Sequence, residues 1–230
     1  MSRFTRFAPT LAAALALATF PATAQAAPAV VTRPAPSTPA YTTQADLDGD
    51  GRPDQITISV TRKTDDVWYY AIAVKTARGQ RAMARLSMGS ADELAPKDVW
   101  QGAGPVDGAP GSEIRIVESD GGEAWSWQIY SWHNGKLLLQ KDPSTGSVNW
   151  NDPEPWFGYA RGYTVGTVGA VRQLVVHDLK RSRSGRFSGT HATFRWTKSG
   201  WKRVGQKPTG SLTSAQANAL SGWHGVKAFR

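Results

Sequence analysis

The sequence predicts an all-β, antiparallel domain of about three blade-like repeat units, with a short helix near the C-terminus. Three observations carry that reading. From residue 45 onward, short runs of alternating apolar and polar residues are broken by Gly, Asn, Asp and Pro. Strands that bury one face and turn quickly are written this way. Helix signals are scarce, and segments of similar character recur at spacings of 59 and 60 residues.

Taken in order, Ile56, Ile58 and Val60 alternate with Thr57, Ser59 and Thr61, a half-buried strand. Val67 to Val74 forms a second strand, carrying Trp68, Tyr69 and Tyr70; Glu113 to Val117 forms a third and Trp125 to Trp132 a fourth. Asn134-Gly135 follows at once. Both residues tolerate positive φ, so the pair closes a two-residue hairpin onto a return strand at Leu137 to Leu139. Leu174 to His177, Thr190 to Trp196 and Trp201 to Val204 repeat the theme. Ser90 and Glu93 stand in capping-box spacing at a helical turn that Pro96 limits, and Ser211 or Thr213 caps a short helix that runs through Leu220 and stops at Gly222.

The recurrence is an acidic or turn segment leading into an apolar strand, at Asp54-Gln55-Ile56, Glu113-Ile114 and Gln173-Leu174. An aromatic strand and a Gly turn then follow: Tyr70 before Gly79, Tyr130 and Trp132 before Gly135, Phe194 and Trp196 before Gly200. Such a period marks blade-like or stacked β modules. Three units fall short of the roughly four to eight blades of a closed propeller. They either pack in a smaller, irregular β arrangement or need a partner chain for closure.

Residues 1–26 read as a secretory leader. Arg3 and Arg6 supply the positive region, Leu11 to Phe20 the apolar stretch, and Ala24-Gln25-Ala26 the small residues at a cleavage site. The apolar stretch falls short of the ~20 residues that span a bilayer, and no later stretch is longer, so no membrane span is expected after leader removal. Residues 27–43, rich in Pro, Ala and Thr, read as an extended linker, and 44–230 as a single β-repeat domain. Secretion to the extracellular space is the expected localisation.

The 230 residues contain no Cys, which excludes disulfides, thiolate catalysis and thiolate metal sites. The formal net charge is +9; without Arg3 and Arg6 the balance is 25 basic against 18 acidic residues, a net of +7. A basic excess favours anionic partners such as cell-wall polymers or acidic glycans, but the charges are scattered. The one dense cluster, Lys180, Arg181, Arg183 and Arg186 around Ser182, Ser184 and Gly185, reads as a solvated loop tip. Export makes nucleic acid an unexpected partner.

One motif is sharp. Asp46, Asp48, Asp50 and Asp54 stand at relative positions 1, 3, 5 and 9 of DLDGDGRPD. Ca²⁺ takes six to eight hard oxygen ligands, and this spacing wraps carboxylates around one point while the Arg52 carbonyl, at position 7, supplies another oxygen. Gly49 and Gly51 permit the tight backbone, and four carboxylates so close repel one another until a cation neutralises them. Dense Asp and Gly also suit a solvated turn, but the regular spacing favours the ion. The twelfth position is Thr57 and a strand follows, so this is not an EF-hand, whose loop ends in a bidentate Glu before a helix.

The loop and the strand after it resemble the DxDxDGxxD calcium loop of FG-GAP and VCBS repeats, the modules of integrin-type propellers and many secreted bacterial proteins. The resemblance implies a metal site of Asp46, Asp48, Asp50 and Asp54 side chains with Arg52 as a backbone ligand, and Ca²⁺ as the bound ion pinning a β turn. A second copy, Val106 to Glu113, keeps Asp107 and Glu113 but has Ala109 where Asp50 stands; little or no metal is expected there. A third, Val165 to Gln173, has no acids.

On the aromatic strand, Trp125, Trp127 and Ile129 share one face and Tyr130 and Trp132 the other, one set expected in the core and the other exposed. Trp150, Trp156, Phe157 and Tyr159 crowd a segment read as a long loop, either a lid over the core or a recognition surface. His133, His177, His191 and His224 show no metal-ligand spacing, and Asp178 falls on the strand face opposite His177. Nucleophile elbow, phosphate loop and dinucleotide fingerprint are all absent. Glu118, Asp120 and Glu123 around a Gly-Gly turn imitate a glycosidase pair only in composition. No catalytic residue is assigned. The expected function is a secreted, calcium-binding β-repeat protein acting as a binding or interaction module for a cell-wall polymer, a glycan or another secreted protein. The alternatives are a carbohydrate- or cell-wall-binding protein using exposed Trp and Tyr, and a secreted hydrolase.

Overall fold

Three antiparallel meanders, each of four consecutive strands, account for most of the chain in the computed structural model. The residues described are 40–89, 94–120, 124–153, 158–198 and 200–229, all within the unit Ser37–Arg230. The first sheet runs β1 (Ala40–Ala45), β2 (Asp54–Lys63), β3 (Val67–Lys75), β4 (Arg81–Gly89). The second runs β5 (Trp100–Gly104), β6 (Glu113–Asp120), β7 (Ala124–His133), β8 (Lys136–Gln140), with β9 (Asn149–Pro153) on the part of the β7 edge that β8 leaves free. In the third sheet, β10 (Tyr159–Val168), β11 (Val171–Arg181), β12 (Phe187–Thr197) and β13 (Gly200–Pro208) follow the same order. There β14 (Gly222–His224) adds in parallel to β10.

The repeat is therefore structural. β2 and β6 both begin on a carboxylate, Asp54 and Glu113, and each is the second strand of its meander. The third meander joins its first two strands by a tight hairpin, Val168 pairing with Val171. Among the described residues no sheet closes on itself, consistent with a smaller, open arrangement of three units.

Alternation explains the packing. Ile56 and Ile58 on β2, Tyr70, Ile72 and Val74 on β3, and Ile114 and Ile116 on β6 point into one core. Leu174, Val176 and Phe194 of the third sheet join it. Asn134 at φ 48° and Gly135 at φ 76° close the predicted hairpin between β7 and β8. Thr213 caps the second helix, α2 (Ser214–Asn218), with Gln216 reciprocating as a capping box.

Several expectations are corrected. β1 starts at Ala40, inside the stretch read as linker, because its Ala-Tyr-Thr-Thr run pairs in register with β2 from Ala40↔Ser59 to Ala45↔Asp54. Pro96 opens a helical turn that the sequence did not announce, α1 (Pro96–Val99); its fixed φ suits the first turn, where no N–H is needed. The Ser90 to Glu93 capping box lies outside the described residues. Neither aromatic set of β7 is exposed: Trp127, Ile129, Tyr130 and Trp132 are all buried, because β7 is covered on both faces. Trp150, placed in a loop by sequence, is fully buried on β9; Trp156 and Phe157 lie outside the described residues. Burying one large apolar side chain contributes about 1.5–3 kcal/mol, close to the ~2–4 kcal/mol of a disulfide, so Trp150, Tyr70, Tyr130 and Tyr163 compensate for the absent cystines.

Candidate metal site in the first acidic loop

The loop from β1 to β2 folds around its own carboxylates. Asp46 Oδ1 accepts the N–H groups of Gly49 (2.8 Å) and Asp50 (3.2 Å), and its Oδ2 that of Gly51 (2.9 Å). Asp48 Oδ1 accepts from Asp50 N–H (3.2 Å). Short acidic side chains that reach their own backbone two to five residues on are what bends the chain here. Asp46, Asp48 and Asp50 each present a carboxylate oxygen, and the three oxygens lie within 4.8 Å of one another.

Asp54 sits beneath them, fully buried. Its Oδ2 accepts Leu47 N–H (2.8 Å) and Asp48 N–H (3.3 Å), and its Oδ1 accepts Ala77 N–H (2.8 Å) from the turn between β3 and β4. Asp54 thus ties the loop to the next hairpin and stands apart from the three-carboxylate cluster. Arg52 and Arg78 meet at Asp50 Oδ2, 2.7 and 3.1 Å away. The Arg52 guanidinium, aided by its backbone N–H and by Arg78, holds the Asp50 carboxyl below the usual carboxylate range. Both arginine side chains are more than half exposed while the Asp50 side chain is 2% exposed, so water screens these contacts from the arginine side. Asp48 Oδ2 is buried with no hydrogen-bond partner among the described residues. A bare carboxylate oxygen out of water is costly, and a cation among three converging carboxylates is the group that fits it. Arg78 has no signal in the sequence, since only the turn between β3 and β4 brings it to the loop.

The second loop repeats the pin and loses the cluster. Glu113 Oε2 accepts Val106 N–H (2.6 Å) and Asp107 N–H (3.2 Å), as Asp54 Oδ2 accepts Leu47 and Asp48. The two loops interlock. Gly49, at φ 72°, lies against Pro110, and Gly111, at φ 104°, lies against the Leu47 carbonyl; a Cβ at either would overlap backbone. Asp107 Oδ2 accepts from the Gln140 amide. Burial, and then the neighbouring Asp107 charge, push the Glu113 carboxyl up to about 8 from an ordinary 4.5.

A pH dependence follows. Glu113 keeps its proton in the folded chain until about pH 8 but loses it near 4.5 when unfolded, so folding takes up a proton between those values. Its contribution to stability is full below about pH 4.5 and is lost as the pH rises through about 8. His177 works in the opposite sense: burial, then His191, lower it from 6.5 to about 4, so its penalty is relieved as the pH rises from 4 to 6.5. Between pH 6.5 and 8 the titrating carboxyls are Glu113 and its neighbour Asp107, which burial also pushes up. Thermal melting in chelator should show the midpoint of the wild type falling across that window and Glu113→Gln clearly flatter; parallel slopes would exclude this assignment.

The histidines, unconnected in sequence, meet in part. Cross-strand pairing of β11 and β12 sets His177 opposite His191, their Nδ1 atoms 2.6 Å apart, with Thr164 Oγ1 2.9 Å from His177 Nε2. His177 is buried and Asp178 exposed, on opposite faces as the alternation requires. His224 bonds to the Ser221 carbonyl, and His133 pairs with Lys136 at the Asn-Gly turn. Glu118 and Asp120 end β6, and Glu123 lies outside the described residues. The Lys180 to Arg186 cluster forms the exposed turn between β11 and β12.

The fold and site define an open, three-meander all-β protein with a candidate metal loop joining its first two strands. No protein-family model matches the chain, and neither a curated protein nor a solved structure matches it.

Proposed function

We propose that this chain is a secreted, calcium-stabilised β-repeat protein of the FG-GAP/VCBS kind, acting as a binding or interaction module outside the cell. The orphaned, buried Asp48 Oδ2 inside a cluster of three carboxylates carries the reading. Asp46, Asp48 and Asp50 hold the ion with the Arg52 carbonyl. Asp54 serves first as the pin, its Oδ1 keeping one lone pair beyond the bond to Ala77. All are hard oxygens, which suit Ca²⁺ rather than a thiophilic metal. The leader pattern of residues 1–26 supports export, with a cell-wall polymer, a glycan or another secreted protein as the partner. The ion's work here is structural, since it locks the turn that packs against the second loop.

Extracellular calcium modules bind with Kd of ~0.1–1 mM. At about 10 mM Ca²⁺, mass action then stabilises the fold by ~1.4–2.7 kcal/mol, a rise of about 3–10 °C in melting midpoint for a domain of this size. Melting curves in Ca²⁺ and in chelator measure it. Asp50→Ala should abolish the difference; coincident wild-type curves would remove calcium from the account.

A further inference from the structure

Basic residues that are scattered along the sequence gather on one sheet. Residues 158–230, the third meander and the segment after it, carry 13 Lys+Arg against one acid, Asp178, whereas residues 44–157 carry 11 against 17. Such an imbalance within one chain points to a charged partner for the part in excess. Asp178 lies on the sheet face that holds Val176 and pairs there with Arg161 at 3.1 Å. The other face of these strands has no acid of its own.

Register places the cations on that other face. Leu174, Val176 and Phe194 turn into the core, so Gln173, Thr193 and Arg195 between them turn outward. One row across the sheet runs Lys202, Arg195, Gln173, Gly166, from β13 to β10, and a second runs Lys207, His191, His177. The rows stand ~13 Å apart, four residues along β12. Arg195, Lys202 and Lys207 are exposed, and none of them forms an ion pair among the described residues. Like charges directly opposite each other, ~5 Å apart, destabilise a sheet, and Lys202 opposite Arg195 is such a pair. At the far end of the face Leu212 and Leu220 pack over Leu179 and Phe187. Around the cations it is open: a side chain built on Gly166 or Gly205 would meet nothing within 4 Å.

We propose that this open basic face docks a linear polyanion, an extended polymer with an anionic group on each repeat. The two rows are too far apart for one small anion, whereas a chain of repeated charges reaches both and releases counterions as it binds. The open part of the face holds no Trp, Tyr or Phe, because Tyr163, Phe194 and Trp201 pack on the core side. It therefore lacks a platform for stacking bases or sugar rings. An interfacial membrane site inserts Trp, Phe or Leu, and none is exposed on this sheet. A second copy of the chain is a poor match, since Asp54, Asp107, Glu113 and Asp142 are buried and Asp46, Asp48 and Asp50 converge on one another. The proposal deepens the binding-module reading by naming a surface and the charge of its partner, and it uses no residue of the acidic loop.

Fluorescence anisotropy with end-labelled long-chain polyphosphate tests it on the full chain, in buffer free of divalent cations so that the outcome does not depend on calcium. The wild type should bind, and with three cations engaged its affinity should fall roughly 15- to 20-fold between about 50 and 200 mM salt. Arg195→Gln, Lys202→Gln and Lys207→Gln together should weaken binding at the lower salt about tenfold or more and flatten the salt dependence. Arg81→Gln, Arg85→Gln and Lys136→Gln together remove the same charge from exposed positions on β4 and β8 and should change it less than about threefold. Melting curves in the same buffer establish that each protein is folded. Absence of polymer binding overturns the proposal, as does equal weakening by the two triple variants, which would reduce the effect to net charge. Retention on phosphatidylglycerol vesicles without polymer binding would assign the face to a lipid surface, and self-association lost only in the first triple variant would assign it to a second copy; each overturns the proposal too. Polymer binding without a Ca²⁺-dependent melting shift would leave this face standing and defeat the calcium reading; the reverse pair of results would do the opposite.

Discussion

Asp54→Ala is expected to cost about 3–5 kcal/mol of stability even in chelator. The fully buried carboxylate accepts three backbone N–H groups, from Leu47, Asp48 and Ala77. Each donor left unsatisfied costs ~1–3 kcal/mol, less where water reaches it. The loss comes from the protein's own hydrogen bonds, so removing calcium does not mask it. Asp50→Ala is the contrast: its carboxylate takes one backbone N–H, from Arg52, and the exposed guanidiniums of Arg52 and Arg78, and in chelator it should change stability less. Urea unfolding of the three proteins in chelator measures both. A cost below about 1 kcal/mol for Asp54→Ala would mean that the loop holds its shape without the pin.

The second large effect is expected at Arg161. Its guanidinium is 8% exposed, donating to Asp142 Oδ2 at 2.8 Å, to Asp178 Oδ2 at 3.1 Å and to the Tyr163 hydroxyl at 2.9 Å. Asp142 is 1% exposed, so Arg161→Met leaves a buried carboxylate with hydrogen bonds from Tyr163 and Ser144 but no counter-ion. Breaking one side of such a pair costs about 3–5 kcal/mol. Asp142→Asn removes the stranded charge, so the double variant should cost clearly less than the sum of the singles. Strict additivity in urea melts would show that Arg161 and Asp142 do not act as a unit.

Legibility in the sequence followed the strength of the local signal. The alternation of Ile56, Ile58 and Val60, the Asn134-Gly135 turn and the Thr213–Gln216 capping box each carry their structure in adjacent residues. β4 was not read: in Arg81–Gly89 two small alanines, Ala82 and Ala84, precede Leu86 and Met88 on the inward face, too weak a run by itself, and it becomes a strand because β3 pairs with it along its whole length. β10, interrupted by Gly162 and Gly166, is a strand by the same tertiary override. β7 misled in the other direction, since aromatic residues on both faces suit a strand buried on both faces as well as one with an exposed row.

The acidic spacing was readable because all its carboxylates lie within nine residues. The orientation of Asp54 toward backbone was not, for Ala77 comes from the next hairpin. Pairing of His177 with His191 depends on strand register, and the recess that Gln140 and Trp201 both line depends on the packing of two sheets. Neither leaves a trace in local sequence.

The central claim is that Asp46, Asp48 and Asp50 converge to hold one calcium ion. Equilibrium dialysis of the wild type and of Asp48→Ala against Ca²⁺, followed by metal analysis, tests it most directly. The account predicts one ion per wild-type chain, half-saturated at ~0.1–1 mM, and none on Asp48→Ala over the same range. A wild type that takes up no calcium, or an Asp48→Ala chain that takes up as much, would contradict it.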